Sequence, residues 1–167
     1  PGLGNAQSAV EALKVALTLK KATVLDADAL NIIASDPKIW DLYGHNLCVM
    51  TPHPKEAARL LNCNLKDVMK DRYLTVKKLA AKFGCTFLLK GNGTLISNLS
   101  NNIFVCRYGN ESMAVAGMGD ALTGIILSLM AKYEDPLRAT IYGAFIHGKA
   151  GEFASANGVI GVLPQDL

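Results

Sequence analysis

Short β-rich segments alternate with longer helical segments along this sequence, and that alternation constrains the fold more than any other feature. Strand-like composition occurs at Thr23–Leu25, 47–50, Thr86–Leu89, 94–98 and 103–108. Apolar residues recur at helical spacing in 6–19, near 29–34, from Pro54 onward, in 120–132 and in 136–156. This order predicts an α/β fold, with a mostly parallel sheet covered by helices on both faces.

Local signals refine the ends of these elements. Asn5 is a suitable N-cap for the first helix, and Pro136 suits the first position of the last helix. The polar turn at 99–102 predicts that the strands 94–98 and 103–108 form a hairpin.

The composition narrows the class of protein. The chain has 167 residues, half of them apolar, which is enough for one compact domain. A formal net charge of +3 without any basic run gives no reason to expect a nucleic-acid partner. The longest apolar stretch, residues 121–131, is too short to cross a bilayer, which needs roughly 20 residues. We therefore expect no membrane association.

The cysteines and the first residue bear on location and completeness. The four cysteines are dispersed, with no C-x-x-C pair and no histidine cluster, so neither a zinc site nor a disulfide framework is indicated. A reduced, cytoplasmic location is expected. The chain begins at Pro1, inside an apparent loop, and shows no repeat or linker. We expect residues 1–167 to be the C-terminal portion of a single domain whose N-terminal part is missing.

Four polar or glycine-rich segments follow predicted strands. They are Asp26 with Asp28, residues 51–56, residues 90–94 and residues 109–120. In open α/β sheets, ligands bind beyond the carboxyl ends of the strands. The sequence therefore predicts one site at one edge of the sheet.

The segment 109–120 precedes a helix and is the most informative of the four. Gly117 and Gly119 permit a positive φ and a close approach of the backbone to a ligand. Backbone N–H groups just before a helix attract anions. The alternative is a tight turn with Asp120 as an N-cap. The long run of small residues favours an anion-binding loop.

Lys90 ends an apolar strand and opens the segment Lys90-Gly-Asn-Gly-Thr94. Asn-Gly is typical of a hairpin turn, which is the simpler explanation for the segment. A buried ammonium group without a partner is costly, however, and a nucleotide phosphate facing Lys90 would remove that cost. We therefore favour a functional role for this segment.

Pro52 and Pro54 restrict the backbone around His53. They hold the chain extended and place His53 at the start of a helix, with its ring expected to be free to face the cleft. Glu56 and Arg59 are three residues apart on that helix and can pair. A surface histidine beside a structural ion pair is the alternative.

Two further features carry weaker signals. Asp26 and Asp28 could hold Mg²⁺ through water or cap the next helix, and capping is the commoner role. His147 lies among apolar residues in the last helix, and we expect either a satisfied core histidine or one that supports the site from behind, rather than a catalytic residue. Trp40 and Tyr43 are expected in a surface or interface patch.

Taken together, these segments resemble the NAD(P)H-hydrate dehydratase family, whose members have a ribokinase-like fold. The resemblance extends over essentially the whole chain. It rests on Pro1-Gly-Leu-Gly4, Asp26-Ala-Asp-Ala-Leu-Asn31, Thr51-Pro-His-Pro-x-Glu-Ala-Ala-Arg-Leu-Leu61, Lys90-Gly-x-Gly-Thr94, Gly109-Asn110 with Met113-Ala114 and Gly117-x-Gly-Asp120, and His147-Gly with Ala150-Gly151. The second and third motifs are the most specific. Gly-x-Gly-Asp alone is shared with many ribokinase-like enzymes.

The resemblance implies a role for each matching residue. The adenine nucleotide would be bound by Lys90, Gly91, Asn92, Gly93, Thr94, Asn110, Met113, Ala114, Gly117, Met118 and Gly119. The hydrated nicotinamide substrate would be bound by Gly2, Gly4, His53, Glu56, Arg59 and Asp120, with Asp120 as the catalytic residue. No residue is implied as a direct metal ligand.

The resemblance also implies an activity and partners. Family members use ADP or ATP, with Mg²⁺, to dehydrate the S-epimer of hydrated NADH or NADPH, releasing AMP or ADP and phosphate. The form of the motif around His53 resembles the bacterial branch, which implies ADP. A homo-oligomer, a tetramer in the family, and an epimerase domain or partner are also implied.

Two other functions remain open at this stage. The chain could be a ribokinase-like kinase for a vitamin-precursor alcohol, or a nucleotide-binding module without turnover. The sequence departs from the family pattern at Ser112, at Met118 and at residues 163–166. None of these departures removes a charged group.

Overall fold

A five-stranded sheet forms the centre of the computed structural model, which describes residues 1–156, 158 and 161–167. The strands lie in chain order: β1 Thr23–Leu25, β2 Cys48–Met50, β3 Thr86–Leu89, β4 Thr94–Ser97 and β5 Ile103–Cys106. β1, β2 and β3 are parallel, whereas β4 pairs antiparallel with both β3 and β5. Four of the five strands therefore point the same way. The sheet is mixed because of the predicted β4–β5 hairpin.

The described helices alternate with the strands as predicted. They are α1 Gln7–Thr18, α2 Asp28–Ser35, α3 Lys38–Tyr43, α4 Pro54–Leu61, α5 Leu65–Lys70, α6 Arg72–Phe83, α7 Met118–Tyr133 and α8 Pro136–Ala154. The three helices α3, α5 and α6 were not predicted. None of the described helices combines the length and hydrophobicity needed to span a bilayer.

Two apolar layers cover the two faces of the sheet. Met50, Phe87 and Leu89 pack on one face against α1 to α6. Val49 and Leu88, which alternate with them along the strands, pack on the other face against α7 and α8. Helices therefore cover both faces, as the alternation of elements predicts.

Two expectations about single residues were wrong. Ala6, not Asn5, occupies the N-cap position of α1. Trp40 is buried because its indole packs edge-on against Phe83 and its Nε1–H donates a hydrogen bond to Phe83 O at 3.0 Å. Pro136 does occupy the start of α8, which Asp135 caps by accepting from Leu137 N at 2.9 Å.

Candidate functional site

The carboxyl ends of the parallel strands carry Asp26, Thr51 and Lys90, one after each strand. Lys90 Nζ lies 2.7 Å from Asp26 Oδ1 and 2.9 Å from Asp26 Oδ2. The Asp26 side chain is 3% exposed, so the carboxylate depends on this partner. The predicted convergence of strand ends is confirmed for this pair. The sequence argument that the Lys90 ammonium group needs a phosphate as its partner was wrong, because Asp26 already pairs with that group.

The N-terminus of α7 lies against this ion pair. Gly117 is the N-cap and has a φ of +90°, a conformation that favours glycine. Gly119 lies within the first turn and does not have a positive φ, which corrects the expectation for that residue. A Cβ atom on Gly119 would lie 3.2 Å from Asp26 Oδ2 and 3.4 Å from Lys90 Nζ. The glycine is needed for close packing rather than for backbone conformation.

Asp120 is exposed in the first turn of α7. Among the described residues, its carboxylate accepts no hydrogen bond and forms no ion pair. It is not the N-cap, which removes the capping explanation for this residue. A carboxylate that is accessible and unpaired can accept a proton from a bound group.

His53 is the N-cap of α4. Its ring Nδ1 accepts hydrogen bonds from Lys55 N at 3.0 Å and Glu56 N at 3.4 Å, and the backbone N–H of His53 donates to Glu56 Oε2 at 2.8 Å. The ring is therefore held at the N-terminus of α4, and it is not free to face the cleft as expected. Burial lowers the pKa of His53, Glu56 opposes that shift, and the positive charges of Lys90 and Arg59 add to it. The net lowering of the pKa favours the neutral form of the ring.

Arg59 and Gly4 make contacts that the sequence did not indicate. Glu56 pairs with His53, with Oε1 3.4 Å from Nε2, so the expected Glu56–Arg59 pair does not form. Arg59 Nη1 instead donates to Asn31 Oδ1 at 2.7 Å. Gly4 N donates to the side chain of Asp28 at 2.8 Å. These two contacts join the N-terminal loop, α2 and α4.

A cavity of about 660 Å³ opens between the β4–β5 hairpin, α7 and α8. Ten of the eleven residues predicted to bind nucleotide line it: Lys90, Gly91, Asn92, Gly93, Thr94, Asn110, Met113, Ala114, Met118 and Gly119. Gly117, the eleventh residue, does not line the cavity. It lies instead against Pro164, because a Cβ atom at Gly117 would be 2.9 Å from Pro164 Cγ. The six predicted substrate residues, Gly2, Gly4, His53, Glu56, Arg59 and Asp120, are not part of the lining either. The two predicted sets therefore occupy different parts of the surface.

Glycines of α8 bring this helix close to the loop that forms one wall of the cavity. A Cβ atom at Gly148 would lie 2.8 Å from the backbone of Tyr108, and one at Gly151 would overlap the side chain of Met113. Asn110 also binds α8, because its Nδ2 donates to Ser155 Oγ at 2.7 Å. This packing accounts for the glycines of the final motif.

His147 lines the same cavity and is not the satisfied core histidine that was one of the two expectations. Its buried Nε2 has no hydrogen-bond partner among the described residues. Burial lowers the pKa of His147, and a hydrogen bond with the Met118 backbone opposes that shift. The ring therefore favours the neutral form at the cavity wall.

Several lining residues were not predicted, among them Arg107, Tyr108 and Ala144. They follow β5 or lie in α8, and no motif in the sequence marks them. Asp26 was considered only as a capping or Mg²⁺-associated residue. The described residues contain no group of three or more histidine, cysteine, aspartate or glutamate side chains able to hold a metal ion.

Comparison with known proteins matches the whole chain, residues 1–167, to the NAD(P)H-hydrate dehydratase family. A Neisseria meningitidis relative, named ADP-dependent (S)-NAD(P)H-hydrate dehydratase, is 44% identical over 99% of this chain and 58% of its own length. A Vibrio cholerae relative, named bifunctional NAD(P)H-hydrate repair enzyme, is 39% identical over 100% of this chain and 33% of its own length. The chain thus spans a third to under two thirds of these relatives.

The fold comparison agrees. The Bacillus subtilis ADP/ATP-dependent NAD(P)H-hydrate dehydratase, co-crystallised with ATP and Mg²⁺, matches with a TM-score of 0.84 and 28% identity. The match covers 99% of this chain and 58% of that one. The ribokinase-like fold implied by the sequence resemblance is confirmed.

Proposed function

The chain belongs to the NAD(P)H-hydrate dehydratase family, and from that premise we propose that the protein uses ADP or ATP to dehydrate the S-epimer of hydrated NADH or NADPH. AMP or ADP and phosphate are the other products. This activity is that of complete family members, whereas the chain spans only part of the length of its relatives.

One observation carries this proposal. Lys90 and Gly119 line the cavity, and both also lie against Asp26 at the sheet edge. The large cavity therefore adjoins the first turn of α7, where Asp120 is exposed. A nucleotide in the cavity would direct its phosphates toward that turn, where backbone N–H groups and the helix dipole favour negative charge.

The chemistry requires a better leaving group on the substrate. Hydroxide leaves poorly, because the pKa of water is about 15.7. Phosphate leaves more easily, because its second pKa is about 6. In the first step the substrate hydroxyl oxygen forms a bond to the terminal phosphorus of the donor, whose bridging P–O bond breaks to release AMP from ADP or ADP from ATP. The hydroxyl proton passes to Asp120.

The second step removes phosphate. The lone pair of the ring nitrogen expels the phosphate from the adjacent carbon, and a proton leaves the neighbouring carbon to restore the dihydronicotinamide. The residues of this chain bind and orient the reactants. Asp120 accepts the first proton, and the N–H groups at the start of α7 stabilise charge on the moving phosphoryl group.

The substrate lies, in this proposal, on the side of Lys90 that faces α4. His53, Glu56 and Arg59 form the rigid N-terminal region of that helix, and Gly2 and Gly4 form the loop tied to Asp28. His53 positions the substrate through its fixed ring rather than through a change of protonation.

Mg²⁺ would neutralise charge on the donor phosphates. Mg²⁺ is commonly bound by one or two carboxylates together with nucleotide phosphates, so a site without a large acidic cluster fits it. Glu111 lines the cavity and would supply one such carboxylate.

The proposed partners follow from the same family. An epimerase, as a fused domain or a separate protein, would supply the S-epimer. A homo-oligomer is supported by exposed apolar side chains along one side of α8, namely Tyr142, Phe145, Ile146 and Phe153.

The direct test is to incubate the protein with Mg²⁺, NADH hydrate and either ADP or ATP, and to follow the absorbance of restored NADH. We expect NADH and phosphate to form in equal amounts, and only when nucleotide is present. A stable phosphorylated product without NADH would instead identify a kinase. Nucleotide binding without phosphate release from any hydrate would identify a binding module.

A further inference from the structure

Arg72, the first residue of α6, extends its guanidinium group to the loop that follows β3. Nη1 donates a hydrogen bond to Asn92 O at 2.7 Å, and Nη2 donates to Gly93 O at 3.1 Å. Nη2 also lies 3.4 Å from the carbonyl oxygens of Leu89 and Lys90. One side chain thus binds four carbonyl groups of a single short segment.

Helix stability does not explain an arginine at this position. Asp71 already caps α6, because its Oδ1 accepts from Leu74 N at 2.8 Å. A cation in the first turn opposes the helix dipole. Arg72 forms no ion pair with any described carboxylate, so its contacts are with the loop.

Gly91 fits against this guanidinium group. A Cβ atom on Gly91 would lie 2.8 Å from Arg72 Nη2 and 3.2 Å from Arg72 Cζ. The φ of Gly91 is +144°, a conformation that side-chain-bearing residues rarely adopt. The loop conformation and the arginine are therefore matched to each other.

The arrangement controls where the N–H groups of the loop point. In a trans peptide, a carbonyl group and the N–H of the next residue point in opposite directions. The carbonyls of Lys90 and Asn92 face Arg72, so the N–H groups of Gly91 and Gly93 face away from it. Arg72 does not line the cavity whereas the loop does, so the loop separates the two.

These N–H groups are available to a ligand. Within the described part of the chain, the backbone N–H groups of Gly91, Asn92 and Gly93 donate to no protein acceptor. Successive unpaired N–H groups form a concave surface that binds anions.

We propose that Arg72 is a positioning residue, which holds the carbonyls of the loop away from the cavity so that its N–H groups bind the nucleotide phosphates. The inference rests on the proposed nucleotide-dependent function. The planar fork of Arg72 is essential, because a single ammonium group cannot span carbonyls on both sides of Gly91.

The test compares nucleotide binding by calorimetry in the unchanged protein and in the variants Arg72→Lys and Arg72→Met. ADP binding should weaken about tenfold or more in both, since several charge-assisted hydrogen bonds that shape the loop are lost. Adenosine, which has no phosphate, should bind as it does to the unchanged protein. The KM for nucleotide should rise while kcat at saturating nucleotide stays within about threefold.

Arg138→Met is the matched control. Arg138 is exposed on α8 and stacks on Tyr133, with Cζ 4.7 Å from the ring centroid, so its loss should leave ADP binding unchanged.

Wild-type ADP affinity in a folded Arg72→Lys protein would overturn the proposal, as would equal weakening of ADP and adenosine. If the unchanged protein binds ADP but restores no NADH, the proposed reaction fails while the binding comparison still tests Arg72. If it binds no adenine nucleotide, both fail.

Discussion

The ion pair between Lys90 and Asp26 joins the ends of β3 and β1, two strands that are separated in the sheet by β2. Its two N–O distances of 2.7 and 2.9 Å show that one ammonium group binds both carboxylate oxygens. The pair therefore crosses the end of the central parallel strand, directly beneath the first turn of α7.

Asp26→Asn should destabilise the protein by about 3 kcal/mol, because it leaves a largely buried ammonium group without its counter-charge. The measurement is urea-induced unfolding at neutral pH. Glu11→Gln is the control, since Glu11 pairs with Lys14 at the surface and should contribute less than about 1 kcal/mol. Equal effects of the two substitutions would show that the Lys90–Asp26 pair contributes no more than a surface contact.

Gly119→Ala and Gly124→Ala form a matched pair within α7. Alanine is favoured over glycine in helices by about 1 kcal/mol, and Gly124 has open space where the new methyl group would lie. The methyl group at Gly119 would instead press on Asp26 and Lys90. We expect Gly124→Ala to raise the free energy of unfolding and Gly119→Ala to fall at least about 1 kcal/mol below it. Similar gains at both positions would rule out the close contact.

Asp120→Asn should leave the Kd for ADP nearly unchanged and lower turnover of NADH hydrate by about 100-fold or more, because the amide cannot accept the hydroxyl proton. Steady-state rates and calorimetric titration separate the two effects. Asp41→Asn, on α3, is the control for loss of one exposed negative charge. Turnover close to that of the unchanged protein would remove Asp120 from the chemistry.

His53→Asn should make stability less dependent on pH. The pKa of His53 is lowered by folding, so the unfolded chain takes up the proton more readily. The contribution of the unprotonated cap is present above the unfolded pKa of about 6.5 and is lost as the pH falls through the lower folded value. Asparagine caps α4 at every pH. Thermal unfolding at several pH values between neutral and mildly acidic should therefore show a steeper loss for the unchanged protein.

The sequence predicted the strands well because their short apolar runs end in polar or glycine-rich residues, as at Leu25–Asp26 and Leu89–Lys90. The order of the elements predicted that the loops after the strands and before α7 converge at one edge. The ten lining residues of the cavity were predicted by the family resemblance of the motifs in those loops. Three helices were missed, and two of them, α3 and α5, have only six residues.

Side-chain partners could not be predicted in the same way. Asp26 and Lys90 are 64 residues apart, and no local pattern links them. Arg59 has an acidic neighbour three residues away, yet it binds Asn31 because His53 already engages Glu56. Contacts of this kind depend on the packing of whole elements, which periodicity and motif spacing do not encode.

The glycines of α8 have a consequence for how this protein can diversify. Gly148 packs against the backbone of Tyr108 and Gly151 packs against the side chain of Met113, so the wall of the cavity depends on close packing between the helix and the 108–113 loop at two points. Substitution should therefore be most restricted at Gly148, where an added methyl group would meet the backbone of Tyr108, and less restricted at Gly151, where the flexible side chain of Met113 can move.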